Sequence, residues 1–252
     1  KSQYKLIKKE ILNSIENVLD HGQYIMGPEV KALENKLAKY VGSKFCISCS
    51  SGTDALLMSL MALDIGKGDA IYTTPFTYIA TAEVISLIGA TPIFVDIDKH
   101  TYNICPNDLE KKIKATIANK TLTSKAIIPV DLFGLPANYE LIKKIALKNN
   151  LPIIEDGAQG FGGMIGGKMA CSFGVMSTTS FFPAKPLGGY GDGGAIFTNN
   201  IELKEKLESI RIHGKGIDKY DNIRVGLNGR LDTLQAAILI QKLKIFYIEL
   251  NK

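Results

Sequence analysis

FCISCSSGTDALLMSLMALDIGKGDAIYTTPFTYIATAEVISLIGATPIFV, residues 45–95, is the stretch that decides the fold. Three short β-rich runs, Phe45 to Ser48, Ala70 to Thr73 and Pro92 to Val95, are separated by helical stretches beginning at Thr53 and Tyr78. The same beat continues outward through a helix from Asn107, a run from Lys125 to Val130, a helix from Asn138 and a run from Pro152 to Glu155. A helix between two strands must cross back over the sheet before the next strand begins, and that crossover leaves the strands parallel. The pattern therefore predicts an α/β fold with a mostly parallel central sheet flanked by helices on both faces. Ligands of such sheets gather beyond the carboxyl ends of the strands, so the residues that follow each run are the first candidates for a site.

Upstream, apolar residues at Leu6, Ile7, Ile11, Ile15, Val18 and Leu19, then at Val30, Leu33 and Leu37, predict two amphipathic helices parted by the turn-like HGQYIMGPE. This gives an N-terminal helical segment over residues 1–40 ahead of a large domain over 41–252. Downstream, Val175 to Phe182 and Ala195 to Thr198 add two strands around a glycine-rich loop, with helices near 202–211 and 231–248. The chain starts without a methionine and stops inside a helical pattern, so a longer protein is expected.

A hydrophobic fraction of 46% over 252 residues supports a sizeable core and excludes disorder. No apolar stretch reaches the roughly 18 residues of a membrane span, and KSQYKLIKKE lacks the features of a signal peptide, so a cytoplasmic protein is expected. The net charge of +5 is spread over helical faces, as in Lys143, Lys144 and Lys148 near Glu140, and forms no basic stripe for nucleic acid. Cys46 and Cys49 form a C-x-x-C, but residues three apart on a strand face opposite ways. No second cysteine or histidine pair completes a metal site.

Two further look-alikes fall on context. Gly189, Gly191 and Gly194 satisfy G-x-G-x-x-G, yet the segment runs into the strand-like AIFT and offers no helix N-terminus to a pyrophosphate. Gly162 to Lys168 satisfies G-x-x-x-x-G-K, but Met169 stands where a P-loop needs Ser or Thr to hold magnesium.

The strand ends carry a more coherent set. Ser51-Gly52-Thr53-Asp54 opens a helix, where small residues and free N–H groups suit a phosphate, although the same four residues read equally as an ordinary cap. Asp156 ends the run PIIED; taken alone it fits an acid at the start of a loop slightly better than a functional carboxylate. Lys185 lies in SFFPAKPLGGYGDGG, where Phe181, Phe182, Pro183 and Pro186 are expected to desolvate it and favour a neutral, nucleophilic amine. Together, lysine, carboxylate and phosphate cradle match the needs of pyridoxal 5'-phosphate: a partner for its aldehyde, an acid for its ring nitrogen and dipoles for its phosphate.

The segments SSGTDAL, PFTYIATAE, IIEDGAQ, SFFPAKPLGGYGDGGAIFTN and GLNGRLDTLQAA, in this order, resemble the DegT/DnrJ/EryC1/StrS sugar aminotransferases, a family of fold type I pyridoxal-phosphate enzymes. The resemblance covers essentially the whole chain and implies that a C-terminal small domain is missing from it. It implies Lys185 as the lysine that carries cofactor and proton, Asp156 on the pyridine nitrogen, Gln159 near the ring hydroxyl and Tyr78 stacked on the ring. Thr53, Asp54 and Ser180 would hold the phosphate, and Asn228 would reach it from the second subunit of a homodimer with shared sites. Gly189 departs from the cysteine that close relatives carry after PLG.

The implied reaction moves an amino group from glutamate to a nucleotide-linked keto sugar. HGQYIMGPEV, SFFPAKPLG and RVGLNGRLDTLQAAIL look closest to enzymes acting on UDP-2-acetamido-2-deoxy-3-oxo-glucuronic acid in the making of bacterial surface polysaccharides. A dTDP-linked 3- or 4-keto-6-deoxy sugar is the alternative substrate. Arg211, Lys215, Arg224 and Arg230 are candidates for the diphosphate, with Arg230 preferred and solvated surface an equal reading for Lys215 and the loop around it. Relatives that act as dehydratases carry a histidine in place of the lysine, which Lys185 argues against. A non-catalytic regulator on the same fold is expected to lack Lys185 or Asp156 or to add a DNA-binding segment, and a cell-surface scaffold leaves the order of motifs unexplained.

Overall fold

The computed structural model describes residues 2–218 and 220–250. Three helices come first, α1 (Ser2–Leu6), α2 (Lys8–His21) and α3 (Pro28–Val41). The alternating part follows as β1 (Phe45–Cys49), α4 (Gly52–Ala62), β2 (Asp69–Thr73), α5 (Ala80–Leu87), β3 (Thr91–Phe94), α6 (Pro106–Asn119), β4 (Thr123–Ile128), α7 (Tyr139–Lys148) and β5 (Ile154–Asp156). A small hairpin, β6 (Met164–Ile165) and β7 (Lys168–Met169), precedes β8 (Met176–Ser180), β9 (Gly194–Thr198), α8 (Ile201–Arg211) and α9 (Thr233–Leu250). Helix starts differ from the sequence reading by one or two residues, as expected where local caps decide the boundary.

β2 pairs in parallel with β3 and β4, and β5 in parallel with β8, while β9 runs antiparallel between β8 and β1. Parallel bridges from Ile127 to Ile153 and from Val130 to Asp156 join the two blocks. The resulting order is β3-β2-β4-β5-β8-β9-β1, with β9 alone reversed. This is the mostly parallel sheet that the alternation predicts.

Side-chain alternation along the strands builds a core on each face. Ile71, Ile128, Ile154, Met176 and Ile196 pack with Leu56, Met58, Val84 and Leu207 on one face, beneath α4, α5 and α8. On the other face, Ala195 and Phe197 meet Leu33, Leu37 and Leu239 of α3 and α9, and Tyr72 and Ile127 meet Ile113 and Ile142 of α6 and α7. Cys46 belongs to the α3–α9 side and Cys49 to the α4 side, so the C-x-x-C is split across the sheet. Burial pushes the Cys49 thiol up to about 12 and Cys46 well above its ordinary value, which leaves both inert as nucleophiles.

The N-terminal helices join this body directly. α3 packs on β1 and α9, α2 packs on α9, and Ile7 and Ile11 bury against Ile238. Glu34 of α3 and Arg211 of α8 form a buried ion pair, Nη1 to Oε1 2.6 Å, and Arg211 also donates to the Ser48 carbonyl. Arg211 is thus withdrawn from the diphosphate candidates. Among the described residues, no helix is long and apolar enough to cross a membrane.

Candidate active site

The carboxyl ends of β1, β2, β4, β5 and β8 and the amino end of β9 surround one cavity of about 540 Å3. Its wall takes Ser51, Gly52 and Thr53 from the start of α4, Thr77 and Tyr78 from the approach to α5, Thr81 from its first turn, and Val130 from the exit of β4. Asp156, Ala158 and Gln159 come from the exit of β5, Ser180, Phe182 and Lys185 from the exit of β8, and Asp192 from the loop before β9.

The helix start is held tightly against the two neighbouring strands. The Ser51 hydroxyl accepts from the Asp54 N–H at 3.0 Å and so closes the cap. A Cβ on Gly52 would stand 2.6 Å from Ser180 Cβ, and one on Gly194 would run into the Ser51 carbonyl, so only glycines let these backbones approach this closely. That approach sets the Ser180 hydroxyl beside the first turn of α4, whose N–H groups have no carbonyl one turn back within the helix. Hydroxyls and helix dipole here make a cradle for a dianion.

Asp156 is buried at the opposite wall. Thr81 Oγ1 donates to its Oδ2 at 2.8 Å, and the Ala158 N–H reaches Oδ1 at 3.2 Å. Burial holds its carboxyl above the usual range, against the lowering effects of those two donors and of nearby Lys185. A cation placed against Asp156 would favour the carboxylate further. Gln159 Oε1 accepts from the Phe133 N–H at 3.2 Å, which leaves its NH2 to donate. Tyr78 stands at the mouth, 67% exposed.

Thr53, Tyr78, Asp156, Gln159, Ser180 and Lys185, all named from the sequence, therefore line this one cavity. Three do not. Asp54 turns back into the cap, where its Oδ2 accepts from the Ser50 and Ser51 hydroxyls, and it does not line the cavity. Arg230 and Asn228 lie outside the cavity of their own chain, bound to each other through Nη2 and Oδ1 at 2.6 Å. Asn228 does not cap α9 either, because that helix begins at Thr233.

The expected desolvation of Lys185 is corrected. Phe181 turns into the core, while Phe182, Pro183 and Pro186 are exposed, so Lys185 is only half-buried and open to the cavity. Consecutive residues leaving a strand point to opposite sides, which the run of apolar letters hides. Thr77, Thr81 and Asp192 were missed from the sequence; a threonine inside PFTYIATAE carries no local sign of an acid 75 residues away.

The residues fit pyridoxal phosphate. The volume lies within the ~300–1,000 Å3 of small-molecule pockets, and the wall offers a dianion cradle, a buried acid held by two donors and a reachable amine.

Residues 5–251 match the DegT/DnrJ/EryC1/StrS aminotransferase family. The chain is 53% identical over 250 residues to a UDP-2-acetamido-2-deoxy-3-oxo-D-glucuronate aminotransferase of Pseudomonas aeruginosa, a match covering 99% of this chain and 67% of that protein. The crystal structure of a DegT DnrJ EryC1 StrS aminotransferase from Brucella abortus superposes with a TM-score of 0.97 at 51% identity, covering 98% of this chain and 66% of that one. NtdA of Bacillus subtilis, solved with bound cofactor PMP, superposes with a TM-score of 0.87 at 33% identity, covering 95% of this chain and 53% of that one. The chain thus spans about two thirds or less of the length of these proteins. With matched residues running from 5 to 251 and a shared fold at half identity, the chain belongs to the DegT/DnrJ/EryC1/StrS aminotransferase family.

Proposed function

We propose that this chain is the cofactor-binding part of a cytoplasmic enzyme that transfers an amino group from glutamate to a nucleotide-linked keto sugar, with UDP-2-acetamido-2-deoxy-3-oxo-glucuronic acid as the sugar substrate. The observation that carries the reading is the convergence of Lys185, Asp156 and the start of α4 on one cavity in a chain 53% identical to an aminotransferase of that sugar.

Pyridoxal phosphate, when bound, supplies an aldehyde that condenses with amines and a ring that takes up the electrons released at the substrate carbon. Thr53, Ser180 and the first N–H groups of α4 would bind its phosphate. Asp156 would hold the positive charge of the ring nitrogen, the Gln159 NH2 would donate to the ring hydroxyl, and Tyr78 at the cavity mouth would lie against the ring. Lys185 Nζ would anchor it, and the same amine would take the proton from the glutamate Cα and later deliver one to the sugar carbon that held the ketone.

The active unit in this reading is a homodimer in which Asn228 of a second copy completes the phosphate site. Arg230 occupies the Asn228 carbonyl oxygen and so directs its NH2 outward as a donor, which suits an anion on a neighbouring chain.

The test is amino transfer by the purified full-length protein from glutamate to a panel of nucleotide keto sugars. The 3-oxo-glucuronate is expected to give the highest kcat/KM. Preference for a dTDP-linked keto-6-deoxy sugar would move the substrate assignment, and no transfer with bound cofactor would favour a regulator.

A further inference from the structure

We propose that Gln235 is a positioning residue for Lys185, acting through the glycine-rich loop; the inference rests on the reading that Lys185 carries the cofactor. Lys185 sits on the turn from Phe181 to Gly189. The turn is closed at its base by the Gly189 N–H on the Phe181 carbonyl at 2.7 Å, while the Phe181 N–H binds the Gly193 carbonyl at 2.7 Å. Within it, the Lys185 N–H reaches the Phe182 carbonyl at 2.8 Å. The turn therefore has a defined shape: Leu187 seats its far end in the core, while Phe182, Pro183, Ala184 and Pro186 around Lys185 are exposed.

Beyond Leu187, the loop that closes the turn is held by α9. Gln235 Oε1 accepts from the Tyr190 N–H at 3.0 Å. Its amide lies in a slot with glycine on both sides: a Cβ on Gly189 would stand 3.1 Å from Oε1, and one on Gly191 would stand 2.9 Å from Nε2. Two turns further along the same helix, Lys242 Nζ lies 5.1 Å from the centre of the Tyr190 ring. α9 thus grips Tyr190 by its backbone and its ring. Its own apolar face is locked into the core by Ala236 and Leu239, so the grip transmits the position of a rigid helix to the loop that closes the lysine turn.

The acceptor oxygen is what the contact needs. Gln235→Glu keeps an oxygen for the Tyr190 N–H, whereas Gln235→Ala removes it. In the full-length protein, three quantities separate positioning from mere support: the pH midpoint of the visible absorbance of cofactor bound at Lys185, the division of any loss between kcat and KM, and the melting temperature. Gln235→Ala is expected to shift the absorbance midpoint and to lower kcat roughly 10- to 100-fold, as a small displacement of a reacting group does. KM for both substrates is expected to stay within about twofold and the melting temperature close to that of the wild type, as mere support would not allow, and Gln235→Glu to recover most of the loss. Gly191→Ala, which pushes a methyl against the Gln235 amide, is expected to act in the same direction should Gln235→Ala fail to fold. A Gln235→Ala protein with wild-type midpoint and kcat, or a Gln235→Glu protein as impaired as the alanine variant, would overturn the assignment. Wild-type protein that binds cofactor without attachment to Lys185 would overturn the underlying reading and this inference together.

Discussion

Thr81 Oγ1 donates to Asp156 Oδ2 at 2.8 Å, and Thr77 Oγ1 lies 3.2 Å from Thr81 Oγ1, so a buried acid is tied to the cavity wall by a short run of hydroxyls. The donor opposes the burial that raises the carboxyl of Asp156. A hydrogen bond to a charged group is worth ~1.5–3 kcal/mol, and about 1.4 kcal/mol corresponds to a tenfold effect. Thr81→Val removes it, leaves the carboxylate less favoured and is expected to move the acid limb of kcat/KM to higher pH. The loss at neutral pH should be about tenfold. Thr81→Ser keeps the hydroxyl and should retain the wild-type limb; identical profiles for valine and wild type would show that the bond does not tune the acid.

Asp156→Asn separates binding from chemistry. The amide oxygen still accepts from the Ala158 N–H, and the Thr81 hydroxyl can rotate to accept from the new NH2, so the fold and cofactor binding should persist. An amide cannot hold a protonated ring nitrogen, and turnover should fall on the order of 10²- to 10³-fold. In the cofactor-free protein the native carboxyl lies above its unfolded value, so the native state keeps its proton where the unfolded chain has released it. Stability from this group therefore declines as pH rises from the ordinary carboxylate range through the raised native value, and asparagine should flatten that decline. Denaturant melts across pH measure the slope, and rates in both half-reactions measure the chemistry.

Lys185→Ala is expected to abolish amino transfer and the visible absorbance of attached cofactor. Since Lys185 is half-buried in a turn with exposed neighbours, stability should change by no more than about 0.5 kcal/mol. Measurable turnover in this variant would assign the chemistry to another group.

Arg211 and Glu34 bind α8, α3 and β1 into one unit, with both side chains nearly inaccessible. Arg211→Met leaves the buried Glu34 carboxylate with only the exposed Lys31 ammonium 4.0 Å from its other oxygen and should cost about 3 kcal/mol. Adding Glu34→Gln to that variant should recover part of the loss, since the stranded charge is gone. Urea melts of the two variants and the wild type give the comparison.

The alternation of short β-rich runs with helices was enough to reach the sheet, because crossover helices leave few topologies open. It put Asp156 at the end of a buried strand without marking it as functional, and Ser180, which also ends one, was named only through the family resemblance. The split of Cys46 and Cys49 followed from the two-residue period alone. The reversed direction of β9 was not legible, because the loop from Phe181 to Gly193 carries no helix that would announce or forbid a crossover. Contacts of long reach were equally hidden: Gln235 meets Tyr190 across 45 residues and Thr81 meets Asp156 across 75, and neither pair has a local signature. The apolar letters around Lys185 misled because burial is decided by which way each side chain leaves the strand.

The shared site makes the sharpest demand on the assembly. Asn228 is exposed, stands outside the cavity of its own chain and has its carbonyl oxygen taken by Arg230, so its NH2 is available to a neighbour. Capping of α9 is no longer a rival role, since the helix starts five residues later at Thr233. If the second copy supplies this donor, each active site of a dimer needs Lys185 from one chain and Asn228 from the other. Asn228→Ala chains and Lys185→Ala chains, each inactive or nearly so alone, should then complement when mixed and allowed to exchange. A mixed dimer collects both defects in one site and leaves the other with wild-type residues, so a fully exchanged equal mixture, half of it mixed dimers, should regain about a quarter of the wild-type activity per chain. Activity that stays at the level of the parents, with subunit exchange demonstrated by tagged chains, would confine Asn228 to its own subunit.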